Sequence, residues 1–376
     1  MSRQQRYDRQ IRFPAIGKAG QQRLSAATVA ILGCGALGSV AAEILARAGV
    51  GRLTLIDRDT VEWSNLQRQS LYTEADAHVG RAKADAAAER LRRINSDIDI
   101  QPHVVDVTAD TIGSMLSGTS LVIDGSDNFG IRFLLNDYSL ETRLPWVHGG
   151  CVGATGQATF LTGRGQPCFR CLIPEPPPAA AQQTCDTVGV VGAATHLVAS
   201  LQAMLAIRFL SAMPDARDVG NNGPDDNGEV DNSTSGQFHG VDSAVYSMDL
   251  WGGRFRRYEI ASMHCKACQQ GKRDFLHGNA AAAGDQSTVL CGRNAVQIAA
   301  SGTKIDLERV GRQWSELGRV DQNAFFVRLH LAAEATGSEV VTESRTLTLF
   351  RDGRAVIAGT DDLSVARSLY ARYVGG

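Results

Sequence analysis

The ten residues Val29-Ala30-Ile31-Leu32-Gly33-Cys34-Gly35-Ala36-Leu37-Gly38 limit what this chain can fold into more than any other stretch. Four apolar residues read as a buried strand, and Gly-x-Gly-x-x-Gly follows directly. The alanine-rich segment Ser39 to Ala48 then reads as a helix. Glycines in such a turn permit a tight reversal and close approach to phosphate. The helix N-terminus adds N–H donors and the positive end of its dipole. Leu53-Thr54-Leu55-Ile56-Asp57 reads as a second strand ending in an acid, about twenty residues past the loop, where a carboxylate binds ribose hydroxyls. Gly33, Gly35, Gly38 and Asp57 therefore predict a nucleotide site, with NAD as the default ligand.

The alternation continues downstream. A helix is expected over about 80–94 with Lys83 in its first turn, strands over 98–107 and 121–124, and a helix over about 129–141. This order predicts an α/β fold, a Rossmann-like doubly wound and mostly parallel sheet. From Pro145 the pattern changes. Residues 147–161 suit added antiparallel strands, 174–181 form a Pro/Ala loop, and 195–210 form an apolar helix for the core or a dimer face. Residues 215–236 carry six acids against one Arg and read as a disordered insert. Strands resume over 239–260. We expect one domain over 1–275 and, after a linker at 280–284, a small α+β domain over 285–376. In the latter, Asp306 should cap a helix with Leu307, Val310, Trp314 and Leu317 on one face. A strand over 323–331, a hairpin turning at Asp352-Gly353 and a helix over 363–373 should follow.

A net charge of −2 gives no electrostatic case for nucleic acid or an anionic membrane. With no uninterrupted apolar run of eighteen residues and no N-terminal signal pattern, a cytoplasmic protein is expected. Eight cysteines in 376 residues are not a small-domain disulfide framework. Four of them form Cys168-Phe169-Arg170-Cys171 and Cys265-Lys266-Ala267-Cys268. Two such hooks supply the tetrahedral thiolate shell that Zn²⁺ prefers, and a closed four-cysteine shell is structural, with no open position for catalysis.

Arg9, Asn65, Arg68, Lys83 and Asp127 fall where a doubly wound sheet exposes its strand ends, the place where such folds bind ligands. Two arginines and a lysine beside a glycine turn suit a triphosphate better than the two phosphates of NAD. A carboxylate such as Asp127 among phosphates requires a metal between them, which points to Mg²⁺.

Arg6-Tyr7-Asp8-Arg9-Gln10, the Gly33–Gly38 loop, Asp57, Ser64-Asn65-Leu66-Gln67-Arg68-Gln69, Lys83, Ser126-Asp127-Asn128 and both cysteine hooks resemble the MoeB/ThiF family, bacterial relatives of ubiquitin-activating enzymes. The resemblance covers about 3–271. It implies a homodimer that binds ATP and Mg²⁺ and adenylates the C-terminal Gly-Gly carboxylate of a small ubiquitin-like sulfur carrier. Such a protein would draw sulfur from a cysteine desulfurase or rhodanese donor. By family pattern Asp57 would hold the ribose, and Asn65, Arg68 and Lys83 the phosphates. Asp127 would ligate Mg²⁺, and Arg9 would reach the γ-phosphate from the partner subunit. Cys185, after the Pro/Ala loop, stands where relatives form a thioester or acyl-disulfide with the carrier.

Other residues are read as structural: Cys34, Cys151 and Cys291 as small hydrophobes, and His148 as a core or cleft histidine. The terminal Gly375-Gly376 follows a helix too closely to thread into a site. The tail lacks a rhodanese active-site loop and is read as a carrier or partner docking element. The competing readings are an NAD-dependent oxidoreductase, which leaves Arg68, Lys83, Asp127 and the cysteine hooks without a role, and a nucleotide-binding scaffold without turnover.

Overall fold

The computed structural model describes residues 3–177, 188–212, 237–238, 241–260, 264–278, 287–290, 294–298, 305–331 and 345–374. Cys185, Cys291, the acidic stretch 215–236, the linker 280–284 and Gly375-Gly376 lie outside the described residues. The chain divides into two units, 1–278 and 279–376.

The first unit is built on β1 (Thr28–Leu32), β2 (Arg52–Ile56), β3 (Asp99–His103), β4 (Leu121–Asp124), β5 (Trp146–Val152) and β6 (Thr155–Leu161). After a two-residue pair, β7 (Gln237–Phe238) and β8 (Val241–Asp242), come β9 (Val245–Asp249) and β10 (Arg254–Tyr258). The large sheet has the order β10-β9-β6-β5-β4-β1-β2-β3. The five strands β3-β2-β1-β4-β5 are parallel, and β6, β9 and β10 extend the sheet antiparallel. Strand order reverses between β1 and β4, so the loops leaving these two strands diverge and open a crevice at their carboxyl ends.

The unbroken apolar run of β1 is explained by burial on both faces. Val29 and Ile31 join a core with the helices Gly38–Ala48, Lys83–Ile94 and Gly192–Ala212, while Ala30 and Leu32 join a second core under the helix Phe129–Thr142. Gly192–Ala212 is long and apolar enough to cross a membrane by length and composition, but it packs on β5, β6 and the Gly38–Ala48 helix. Gln202 ties it there: its Nε2 donates to the carbonyls of Asp124 and Val147 at 2.8 and 3.2 Å.

Two boundaries differ from expectation. The helix expected over 80–94 starts at Lys83, because Thr73 and Asp76 cap a separate helix, Glu74–Val79, which Gly80 ends at φ 61°. The strand expected over 98–107 ends at His103, where β2 also ends.

The second unit holds β11 (Ser287–Leu290), β12 (Ala295–Ile298), β13 (Arg319–Gln322), β14 (Phe326–Leu331), β15 (Arg345–Phe350) and β16 (Ala355–Ala358). They form an antiparallel sheet, β11-β12-β16-β15-β14-β13. Helices Leu307–Ser315 and Leu363–Tyr373 share its apolar core, and Trp314 Nε1 donates to the Tyr373 carbonyl at 3.0 Å. Asp306 caps the first helix by accepting from the N–H groups of Glu308 and Arg309. Leu317 departs from its expected face: the helix ends at Ser315, and Leu317 is 60 % exposed beyond it. The β15–β16 hairpin turns through Gly353 at φ 87°, and the last helix spans Leu363–Tyr373 as expected.

Candidate functional site

The crevice is closed at its base by three glycines. Gly33 takes φ 89°, and a Cβ there would stand 2.8 Å from the Gly125 carbonyl oxygen. A Cβ on Gly125 would stand 2.4 Å from the Gly33 carbonyl oxygen, and one on Gly38 only 1.8 Å from that same atom. The loops after β1 and β4 therefore touch backbone to backbone. Gly33 N–H donates to Ile56 O and Gly125 N–H to Leu32 O, both at 2.8 Å, so the strand ladder holds each loop. Gly35 differs: a Cβ there would make only ordinary contacts, 3.9 Å from the Gly125 carbonyl oxygen and 4.0 Å from Gln69 Nε2.

Asp57, at the end of β2, accepts the Cys34 N–H on Oδ2 and the Asp59 N–H on Oδ1, each at 2.7 Å. Asp57 thus fixes the glycine turn. Burial pushes its carboxyl up from the usual range, with Lys83 opposing and Asp59 reinforcing. Lys83 is 4 % exposed, and a cation so buried needs a partner. Its Nζ lies 3.2 Å from Asp59 Oδ2, and its own N–H donates to Asp59 O at 2.9 Å. Asn65 is buried, with its Oδ1 accepting the Glu62 N–H at 3.2 Å in a short 3₁₀ turn. Arg68 is half-buried, and its Nη1 donates back to the Ser64 carbonyl at 2.8 Å. Arg58, which sequence reasoning passed over, reaches Asp106 at 2.9 Å. Burial opposes the charge of Arg58, but Asp106, Asp59 and more weakly Asp127 outweigh it and push its pKa up. Arg58 therefore feels acids from both sides of the crevice.

Asp127 is exposed on the loop after β4, next to Asn128, whose Oδ1 caps the Phe129–Thr142 helix. Behind this loop lies a buried polar cluster. Asp124 Oδ2 accepts from Arg132 Nε at 3.1 Å and from His148 Nδ1–H at 2.8 Å, and its Oδ1 accepts from Ser126 Oγ at 2.6 Å. Arg132 Nη2 also donates to the carbonyls of Ser126 and Gly149 at 2.6 and 3.1 Å. Burial works against ionised Asp124, but Arg132 and His148 outweigh it and hold the carboxyl below its usual range. Burial pushes His148 down despite its bond to Asp124, so the neutral ring donates. His148 is the core histidine expected. What the sequence did not reveal is that Asp124 and Arg132 join it in setting the loop that carries Asp127. The one available signal was an acid ending an apolar strand, as Asp57 does on the other side.

The four hook cysteines come together. Their Sγ atoms all lie within 4.8 Å of one another, with 168–171, 168–265 and 171–268 separations of 3.9, 3.6 and 3.5 Å. Tetrahedral bonds of about 2.3 Å require sulfurs about 3.8 Å apart, so the cluster fits a metal ion such as zinc. Hydrogen bonding to Cys171 is the largest influence pushing the Cys168 thiol up. Four thiolates at this spacing need a cation among them. The helix Phe129–Thr142 braces both hooks: Asn136 Oδ1 accepts the Phe169 N–H and Asp137 Oδ2 the Phe275 N–H, each at 2.9 Å.

Gly33, Gly35, Gly38, Asp57, Asn65, Arg68, Lys83 and Asp127 belong to the β1, β2 and β4 loops and the segments that close on them. Arg9 does not join them. It is exposed on the helix Asp8–Ile11, and the neighbouring Gln10 Nε2 donates to Ala48 O at 2.9 Å. Ala48 and Gly38 are opposite ends of one helix, about 15 Å apart at 1.5 Å per residue. Cys34 is fully buried as expected, whereas Cys151 is only half-buried.

Comparison with known proteins agrees with this picture. The profile of the ThiF family matches residues 7–268. The sulfur carrier protein ThiS adenylyltransferase of Bacillus subtilis is 38 % identical over 375 residues, covering 98 % of this chain and 99 % of that one. The SAMP-activating enzyme E1 of Haloferax volcanii is 40 % identical over 205 residues, covering 54 % of this chain and 75 % of that one. The adenylyltransferase and sulfurtransferase MOCS3 of Anopheles gambiae is 41 % identical over 205 residues, 54 % of this chain but only 46 % of its own. Among solved structures, Escherichia coli MccB superposes with a TM-score of 0.54 at 21 % identity, over 70 % of this chain and 74 % of that one. PaaA does so with 0.51 at 20 %, over 70 % and 76 %. At these identities the two structures speak to the fold alone.

Proposed function

The chain belongs to the ThiF family, and from that premise we propose that it adenylates the C-terminal Gly-Gly carboxylate of a small ubiquitin-like sulfur-carrier protein, consuming ATP and releasing pyrophosphate. The observation that carries this reading is the 38 % identity to a ThiS adenylyltransferase along 98 % of the chain, tail included. Nothing among these relatives favours an NAD-dependent oxidoreductase.

In the reaction a carboxylate oxygen of the carrier attacks the α-phosphorus of ATP. An oxygen–phosphorus bond forms as the bond to the departing pyrophosphate breaks, and no proton is transferred. The protein's task is therefore to position two anions and neutralise their repulsion. Asp57 would hold the ribose, and the Gly33–Gly38 turn with its helix N-terminus would receive the phosphates. Lys83, Arg68 and Asn65 would contact the phosphate chain, Arg68 by turning away from Ser64. Asp127 would hold Mg²⁺, which supplies shielding of phosphate charge when bound. Arg9 is carried at the wrong end of the Gly38–Ala48 helix to serve its own crevice, which supports a homodimer in which it serves the partner's. The cysteine cluster is read as a structural zinc site. The setting is cytoplasmic, with a cysteine desulfurase or rhodanese supplying the sulfur.

Purified protein with labelled pyrophosphate, ATP and a Gly-Gly-ended carrier tests the reaction: carrier-dependent ATP–pyrophosphate exchange is expected. NAD binding without exchange would overturn the assignment. Cys185 is assigned to a covalent carrier adduct formed after adenylation. Cys185→Ala should keep exchange within about twofold of the parent while the adduct disappears from non-reducing gels. Loss of exchange would show that Cys185 acts earlier. The second unit is assigned to carrier or partner docking. A chain ending at Gly278 should then raise the carrier KM about tenfold with little change in kcat. Unchanged kinetics would remove that role.

A further inference from the structure

The cysteine hook over 168–171 does more than offer sulfurs. Phe169, which it carries between them, forms a wall of the polar cluster behind the crevice. Phe169 is fully buried, and its ring centroid lies 4.9 Å from that of His148 with the planes 61° apart. Rings meeting edge-on in this way restrict each other's rotation. Trp146 and Phe133 close around the same ring at 5.7 and 5.4 Å. The backbone is equally fixed, because Phe169 N–H donates to Asn136 Oδ1 at 2.9 Å. That bond and the surrounding aromatic side chains hold the ring whatever fills the four-cysteine cluster.

From Phe169 an unbroken series of contacts runs to the loop after β4. His148 Nδ1 lies 2.8 Å from Asp124 Oδ2, and since an ionised carboxylate only accepts, the imidazole presents an N–H there. A rotated imidazole would withdraw that donor. Asp124 accepts twice from Ser126 on Oδ1, from the backbone N–H at 3.0 Å and from Oγ at 2.6 Å. Ser126 directly precedes Asp127. Asp124, His148 and Phe169 are each at most 1 % exposed, so bulk solvent does not compete along this path.

We propose that Phe169 is a positioning residue of the adenylation: its ring fixes the imidazole of His148, and through Asp124 and Ser126 this aims the carboxylate of Asp127 at its divalent cation. The inference rests on the adenylation reading, which gives Asp127 its metal. Phe169 acts as the outer partners of metal sites do, by limiting the orientations open to a ligand. The hook that gathers the cysteines therefore also organises the crevice.

Phe169→Leu and Phe169→Met keep an apolar side chain in place while removing the edge-on contact. In the full-length protein with ATP, Mn²⁺ followed by electron paramagnetic resonance should bind about tenfold more weakly than in the parent, the scale usual for a lost outer partner. Bound zinc should stay at the parental level, which shows the hook still closed. Without nucleotide, hydrogen exchange at the Ser126 amide should quicken about tenfold. His148→Leu should reproduce both changes, and combining it with Phe169→Leu should weaken binding no further, because both remove the same path. His148→Asn returns an N–H near the Nδ1 position and should bind Mn²⁺ within about threefold of the parent. Parent-like Mn²⁺ binding and Ser126 exchange in the Phe169 variants overturn the proposal. So does a double variant about a hundredfold weaker, the result expected of independent effects. His148→Asn no better than His148→Leu overturns the path through the bond to Asp124. A parent protein that binds no Mn²⁺ beside ATP fails the metal reading of Asp127 instead, and Ser126 exchange, which needs no nucleotide, still decides the path from Phe169.

Discussion

Asp127→Ala should abolish carrier-dependent ATP–pyrophosphate exchange, with a loss of about 10³-fold or more, equivalent to roughly 4 kcal/mol of transition-state stabilisation. Asp127 is exposed on the loop after β4, so its removal disturbs no packing. Arg58 and Lys83 are engaged by Asp106 and Asp59 and are not released by the change. The effect should therefore appear in the Mg²⁺ dependence of the rate and leave the melting temperature unchanged. Asp127→Asn should recover little, because a neutral amide is a poor ligand for a hard divalent cation. Exchange at the parental rate in either variant would remove the metal role from this residue.

The second large effect concerns stability. Cys171→Ser should reduce bound zinc from about one ion per chain to a small fraction of that, and lower the melting temperature by roughly 10 °C. The hooks are 97 residues apart, and the metal closes that span of chain. Without it, the segment around Cys265 keeps the Lys266–Glu175 and Arg170–Asp274 ion pairs and the packing of Phe275 on Phe133, but loses the tie that joins the two hooks directly. At a temperature where the variant stays folded, exchange should persist, because a four-thiolate shell has no open position for substrate. Metal content unchanged by the substitution, or absent from the native protein, would overturn the zinc assignment.

How far these features could be read from the sequence depended on whether the signal was local. The glycine turn, Asp57 and each Cys-x-x-Cys are patterns of a few residues, and the structure brings the four thiols within metal distance. The β15–β16 hairpin and the last helix were likewise legible from Asp352-Gly353 and the apolar spacing over 363–373. The Asp124–Arg132–His148 cluster was not, because it depends on β4 and β5 lying side by side and on Arg132 turning inward from the following helix. Leu317 was misplaced because helical periodicity alone does not say where a helix stops. Arg58 and Arg9 show the limit differently. Charge type made Arg9 a candidate for a phosphate site and left Arg58 unnoticed, and only the structure pairs Arg58 with Asp106 and puts the helix of Arg9 beside the far end of the Gly38–Ala48 helix.

The contact of Gly33, Gly38 and Gly125 has a mechanical consequence. With carbonyl and Cα atoms meeting where even one methyl group would collide, the loops after β1 and β4 cannot slide past each other; Asp57 is tied to the first through the Cys34 N–H, and Asp127 rides on the second. They behave as one solid jaw, set before any nucleotide arrives, so little ordering entropy is lost at the base of the site when it fills. Motion that accompanies turnover must then come from what approaches this jaw. A single alanine at Gly125 should wedge the two halves apart and weaken the grip on ribose and metal together.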